Sequence, residues 1–149
     1  MLNRDYKDML SAFNDEKVDY LIVGAYAVAA HGVVRATGDI DLWIRSSQDN
    51  ARRAWRALAS FGAPLSGLKE ADLAVDGTVF QIGVVPSRID ILTSIDGVEF
   101  AGAWNQRVEV EVEEIRVNVI GRSHLIANKK AVGRPQDLAD VARLESEKA

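Results

Sequence analysis

The chain has 149 residues, no cysteine and a formal net charge of −4, with 18 Lys and Arg set against 22 Asp and Glu. The length fits one domain, the missing cysteines exclude disulfides and zinc–thiolate centres, and the acidic balance argues against a protein held on nucleic acid or anionic lipid by bulk charge. No apolar run approaches the roughly 20 residues needed to cross a bilayer, and the N-terminal MLNRDYKDML lacks an apolar signal core. A soluble cytoplasmic protein with a single domain over 1–149 is therefore the expectation.

Leu2, Tyr6, Met9, Leu10 and Phe13 recur at helical spacing and predict an amphipathic first helix. YLIVG (20–24) reads as a buried strand ending in glycine, and AYAVAAH (25–31) as a helix that stops at Gly32. A loop with Arg35, Thr37 and Gly38 leads into a strand over Asp39–Ile44. Ser46 or Ser47 is placed to cap the next helix, where Ala51, Ala54, Trp55, Leu58 and Phe61 line one side. Pro64 and Gly67 mark a loop near 62–70, followed by strands near Thr78–Val84 and Arg88–Ile95.

Val108, Val110 and Val112 alternate with glutamates, and Ile115, Val117 and Val119 alternate on the opposite parity. That shift predicts two strands joined by a tight turn at Glu113–Glu114. Ser123 is expected to cap a helix through Ala131, and Pro135 to open a last helix to about Lys148 with Leu138, Val141 and Leu144 inward. The pattern predicts an α/β or α+β domain, a mixed β-sheet flanked by helices.

The segment GDIDLW (38–43) carries the chemistry. Strand alternation puts Asp39, Asp41 and Trp43 on one face and Ile40, Leu42 and Ile44 on the other. Two aspartates about 7 Å apart on one face repel, and without a counter-charge at least one pKa rises. A divalent cation removes that cost, and Mg²⁺ takes hard oxygen ligands from carboxylates, phosphates and water. Upstream, Gly24 stands where a strand enters a helix, a place where backbone N–H groups suit phosphate. Downstream, RIDIL (88–92) sets Asp90 alone in another apolar strand.

This ordered set resembles the nucleotidyltransferase superfamily with the DNA polymerase β-like fold. VGA (23–25), a spacer of thirteen residues, DIDL (39–42) and the later Asp90 match its pattern, with Ala25 standing where the family has Gly or Ser. The run GAYAVAAHGVVRATGDIDLWI and the tail LIANKKAVGRPQDLADVARL look closest to a small bacterial branch that includes the abortive-infection toxins of the AbiEii type. The resemblance implies a minimal nucleotidyltransferase fold in which Asp39, Asp41 and Asp90 are catalytic and bind Mg²⁺, or Mn²⁺ in its place. Gly24 and the N–H of Ala25 would hold the triphosphate of an NTP. Arg35, Thr37 and Lys129 are further candidates for nucleotide binding. For Lys129 a solvated helix face is the plain alternative. Arg134 and Asp137 are expected to pair with each other, His31 to make a structural hydrogen bond, and Trp43 to fill core.

The implied function is Mg²⁺-dependent transfer of a nucleoside monophosphate from an NTP to an acceptor hydroxyl on an RNA end, a protein or a small molecule. A toxin–antitoxin or phage-defence pair is one implied setting, with an antitoxin-like protein partner or a homodimer completing the acceptor site. The alternative is a non-catalytic nucleotide-binding or protein-interaction module on the same fold. No membrane and no sequence-specific DNA partner is expected, because the chain is acidic and shows no basic recognition helix.

Overall fold

Asn3 starts the first helix, its side-chain oxygen accepting the Tyr6 N–H at 2.9 Å. The helix α1 (Arg4–Asp15) buries the expected Tyr6, Met9, Leu10 and Phe13. The computed structural model describes residues 2–34 and 38–146. After α1 come β1 (Tyr20–Val23), α2 (Gly24–Ala30), β2 (Ile40–Ile44) and α3 (Gln48–Phe61). Ser47 caps α3 by accepting the Asn50 N–H, and Gly62 ends it in the left-handed region. A 3₁₀ turn over Glu70–Ala74 precedes β3 (Val79–Ile82) and β4 (Ile89–Leu92), both shorter than the sequence predicts. The remaining elements are α4 (Phe100–Asn105), β5 (Val108–Val112), β6 (Ile115–Val119), α5 (Arg122–Val132) and α6 (Pro135–Ser146).

The strands form one mixed sheet in the order β3-β4-β2-β1-β6-β5. β2 runs parallel to β4 and β1 parallel to β6, while the other neighbours are antiparallel. The centre of the sheet is apolar: Leu21, Ile40, Leu42, Ile44 and Ile91 are fully buried. Among the described residues no helix is long and apolar enough to cross a membrane.

The β5–β6 turn falls at Glu113 and Glu114, with φ of 50° and 71°. Both lie in the left-handed region that a two-residue hairpin needs, normally the place of Gly or Asn. Here the Glu113 carboxylate accepts the Leu2 N–H at 2.9 Å and pairs with Lys7 at 3.1 Å, tying the hairpin to α1. Those two contacts hold its carboxyl below the usual glutamate range.

Two expected details are corrected. Ser123 does not cap α5: the helix begins at Arg122, two residues before the expected start, with Gly121 at the cap position. A Cβ at Gly121 would sit 2.6 Å from the Gln106 carbonyl oxygen, so close backbone approach requires glycine at this cap position. Leu138 does not face inward but is 51% exposed, whereas Asp137, Asp140, Val141 and Leu144 are buried. The cause is Lys129 on α5, itself buried, which pairs with Asp137 at 3.4 Å and Asp140 at 3.1 Å and turns both carboxylates toward α5. A buried charge that loses its partner is expensive. Lys129→Ala is expected to lower stability by roughly 3 kcal/mol in urea denaturation, against about 1 kcal/mol for the cap variant Ser47→Ala.

Candidate active site

Asp39 immediately precedes β2, Asp41 lies within it, and Asp90 lies in β4. The parallel register sets Asp41 directly opposite Asp90. On its other side Asp41 is registered with Val23, the last residue of β1, so that Gly24 opens α2 next to the same carboxylate. Gly24 has φ of +70°, and a Cβ there would collide with Asp41 Oδ2. Glycine is thus required twice over, by conformation and by space. No side chain caps α2, and Ala25 stands half-buried in its first turn.

Gly24 and Asp41 border a cavity of 260 Å³ walled also by Asp96, Asn128, Lys129 and Arg134, among others. Alpha5 and the start of α6 therefore stand over the face of the sheet that carries Asp41. Burial, then the charge of Asp90 and a hydrogen bond to it, then Asp39, push the Asp41 carboxyl up to about 7, with Lys129 acting in the opposite sense. Two carboxylates meeting across a ladder resist joint ionisation, so the proton belongs to the Asp41–Asp90 pair.

Asp90 is clamped by Arg88, two residues earlier in the chain. Arg88 Nε donates to Asp90 Oδ1 at 2.7 Å and its terminal nitrogen to Oδ2 at 3.1 Å. The same nitrogen lies 3.4 Å from Asp39 Oδ2, and the Arg88 backbone N–H donates to Asp39 Oδ1 at 2.9 Å. Tyr6 completes the frame from α1. Its hydroxyl lies 2.8 Å from the Gly38 carbonyl and 3.3 Å from that of Arg88. Burial, then neighbouring Tyr26 and Asp39, push that hydroxyl up to about 12, so it remains a donor.

The oxygen donors of Asp39, Asp41 and Asp90 suit a hard divalent cation by their chemistry, and the strain between Asp41 and Asp90 is relieved by positive charge. Among the described residues no three such groups converge as a ready-made metal cage. Arg88 already brings positive charge against Asp39 and Asp90.

The other sequence candidates separate clearly. Lys129 reaches the cavity but is committed to two buried aspartates, so it is neither solvated nor loose. Arg134 pairs with Asp137 at 2.7 Å, as expected, and holds that carboxyl down at about 2, while most of its own side chain is exposed at the cavity rim. His31 Nε2 lies 2.8 Å from the Ile120 carbonyl, the expected structural bond. Trp43 is core, packed edge-to-face on Phe100 with centroids 4.9 Å apart. Arg35 and Thr37 lie outside the described residues. Arg88 and Tyr6 are the residues that sequence reasoning passed over. The parity of RIDIL, which puts Arg88 on the face of Asp90, is the signal that could have found the first.

The raised Asp41 carboxyl makes stability depend on pH. The folded protein holds this proton up to about 7, while the unfolded chain releases it near 3.8. The stabilising effect of the protonated form is complete below pH 3.8 and lost as pH rises through 7. In metal-free buffer Asp41→Asn is expected to unfold at higher temperature than wild type at pH 8, with the gap closing toward pH 4. Thermal unfolding followed by circular dichroism across that range checks it.

No protein-family model matches the chain, and no curated protein matches it by sequence. Solved structures do match it over nearly its whole length. TM1012 of Thermotoga maritima, assigned as a candidate nucleotidyltransferase, superposes with a TM-score of 0.64 at 15% identity, covering 99% of this chain and 97% of that one. The lincosamide antibiotic adenylyltransferase LnuA, bound to lincomycin, gives 0.62 at 14% identity, with 99% of each chain covered. The antibiotic-resistance factor ANT(2'')-Ia gives 0.64 at 15%, covering 97% of this chain and 83% of that one. At such identities the likeness is one of fold: the chain has the α+β, mixed-sheet fold of these nucleotidyltransferases.

Proposed function

We propose that the chain is a nucleotidyltransferase that moves a nucleoside monophosphate from an NTP to an acceptor hydroxyl, with Mg²⁺ or Mn²⁺ at Asp39, Asp41 and Asp90. The observation that carries this reading is the register of Asp41 against Asp90 beside Gly24, with Asp41 and Gly24 lining a cavity. A protein that only scaffolds has no use for carboxylates that oppose each other at the cost of an ordinary pKa. The fold neighbours add chemical context, since LnuA is an antibiotic adenylyltransferase and ANT(2'')-Ia has been seen with adenylyl-2''-tobramycin.

The metal, when bound, would neutralise triphosphate charge and polarise the phosphorus under attack. The chain supplies the rest. Gly24 lets Asp41 lie against the start of α2, where the backbone N–H groups of Gly24 and Ala25 would meet phosphate. Arg134 at the rim and, outside the described residues, Arg35 and Thr37 offer further phosphate contacts. Asp90 is the base: the acceptor oxygen bonds to the α-phosphorus, its proton passes to an Asp90 carboxylate oxygen, and pyrophosphate leaves. Small-molecule acceptors are the acceptor class that the fold neighbours favour. An RNA end or a protein side chain, and a protein partner of the toxin–antitoxin kind, rest on the likeness of residues 24–44 and 125–144 to the AbiEii branch.

The test is incubation with each α-³²P-labelled NTP and Mg²⁺ in the presence of candidate acceptors, alongside thermal unfolding with the same nucleotides. A site filled at 100 times its dissociation constant adds about 2.7 kcal/mol, and that shift should require Mg²⁺ and vanish in Asp39→Asn/Asp41→Asn. Label transfer should fall at least about a hundredfold in Asp90→Asn. Nucleotide binding that ignores both Mg²⁺ and these substitutions would favour the non-catalytic module instead.

A further inference from the structure

The Arg88 guanidinium stands where positive charge is most needed, and it is bound too strongly there to be incidental. Both oxygens of Asp90 are engaged, at 2.7 and 3.1 Å, and Asp39 Oδ2 lies 3.4 Å from the same fork. A carboxylate whose two oxygens are taken up by a bidentate guanidinium presents no free oxygen along those directions to a metal. A compact divalent ion approaching along those directions and the guanidinium therefore compete for Asp90.

The surroundings leave the guanidinium within reach of water. In the buried Lys129 cluster the side chains are 7, 2 and 6% exposed. Arg88, Asp39 and Asp90 are 28, 21 and 11% exposed, so the pair sits at the surface of the site with water at hand. The segment 83–87 that leads into Arg88 is exposed throughout, with Val84 at 77% and Val85 at 61%. Departure of the guanidinium would leave one anchor intact, because the Arg88 backbone N–H, not its side chain, holds Asp39 Oδ1 at 2.9 Å. Tyr6 likewise binds backbone carbonyls of both segments and is indifferent to where the Arg88 side chain lies.

We propose that Arg88 is a displaceable resident cation: it holds Asp39 and Asp90 in the metal-free protein, competes with the divalent ion for Asp90, and so sets how tightly that ion binds. This rests on the metal-dependent reading above. Its consequence is a site that stays folded and charge-balanced without metal and that admits metal only against a competitor. A divalent ion carried in with a triphosphate, which brings its own ligands, would displace Arg88 more readily than the free ion.

The test is Mn²⁺ binding followed by electron paramagnetic resonance and calorimetry at constant pH, on wild type, Arg88→Gln and Arg88→Lys, each checked for fold by circular dichroism. Arg88→Gln should bind Mn²⁺ about tenfold more tightly than wild type, a gain of the size of one charge-assisted contact. It should also unfold at lower temperature without metal. Arg88→Lys, which keeps the charge but loses the fork, should fall between. In wild type itself, the Arg88 Nε–H signal in ¹⁵N NMR should exchange faster with water once Mg²⁺ is saturating, a readout that needs no variant. Equal or weaker Mn²⁺ affinity in Arg88→Gln, or an Nε–H unmoved by Mg²⁺, would overturn the competition while leaving the metal site standing. No Mn²⁺ binding by any of the three proteins would overturn the metal-dependent reading and this inference with it.

Discussion

The site is organised by the meeting of two carboxylates across a parallel β ladder. Asp41 and Asp90 are registered partners on β2 and β4, strands that lie about 4.8 Å apart. Water cannot screen the pair fully, because Asp41 is half-buried and Asp90 buried. The fold therefore carries a standing demand for positive charge or a shared proton at one point on the sheet. Most of what surrounds that point answers the demand or makes room for the answer.

Gly24 withdraws its side chain so that Asp41 can approach the start of α2. Arg88 supplies a guanidinium from the position just before β4, and Tyr6 pins the backbone of both segments from α1. The Lys129–Asp137–Asp140 cluster works one layer out. It locks α6 to α5 and so builds the wall of the cavity, while its ammonium acts on Asp41 from the side. Positive charge in this site is thus both structural and chemical, and different residues carry the two roles. Both are well paired, but Lys129 is buried whereas Arg88 is partly exposed to water.

Much of this was legible in the sequence because it depended on short-range pattern. Asp39 and Asp41 alternate with three apolar residues, and that parity alone put them on one face. The shift of parity at Glu113–Glu114 located the hairpin even without a turn residue of the usual kind. Alpha4 was not legible, since FAGAWN is too short to show a helical period. Leu138 misled because an apolar residue at helical spacing ordinarily faces the core. Here the inward face of α6 was decided by the ion pairs of Lys129 with Asp137 and Asp140, contacts between two helices that no single-segment pattern reveals. Arg88 was in plain view beside Asp90, but an arginine at a strand end reads as solvated until the partner strand brings Asp39 to it. Charges that act across elements are what a linear reading loses.

The central claim is that opposition between Asp41 and Asp90 is the property the site uses, and that a cation relieves it. The most direct measurement is the ¹³C carboxyl titration of selectively labelled aspartates by NMR, first metal-free and then with saturating Mg²⁺. Metal-free, Asp41 should titrate near 7, far above the ordinary aspartate value. With Mg²⁺ the transition should move below about 4, into or beneath the ordinary aspartate range. An Asp41 that titrates in the ordinary range without metal, or whose raised transition is untouched by Mg²⁺, would contradict the account.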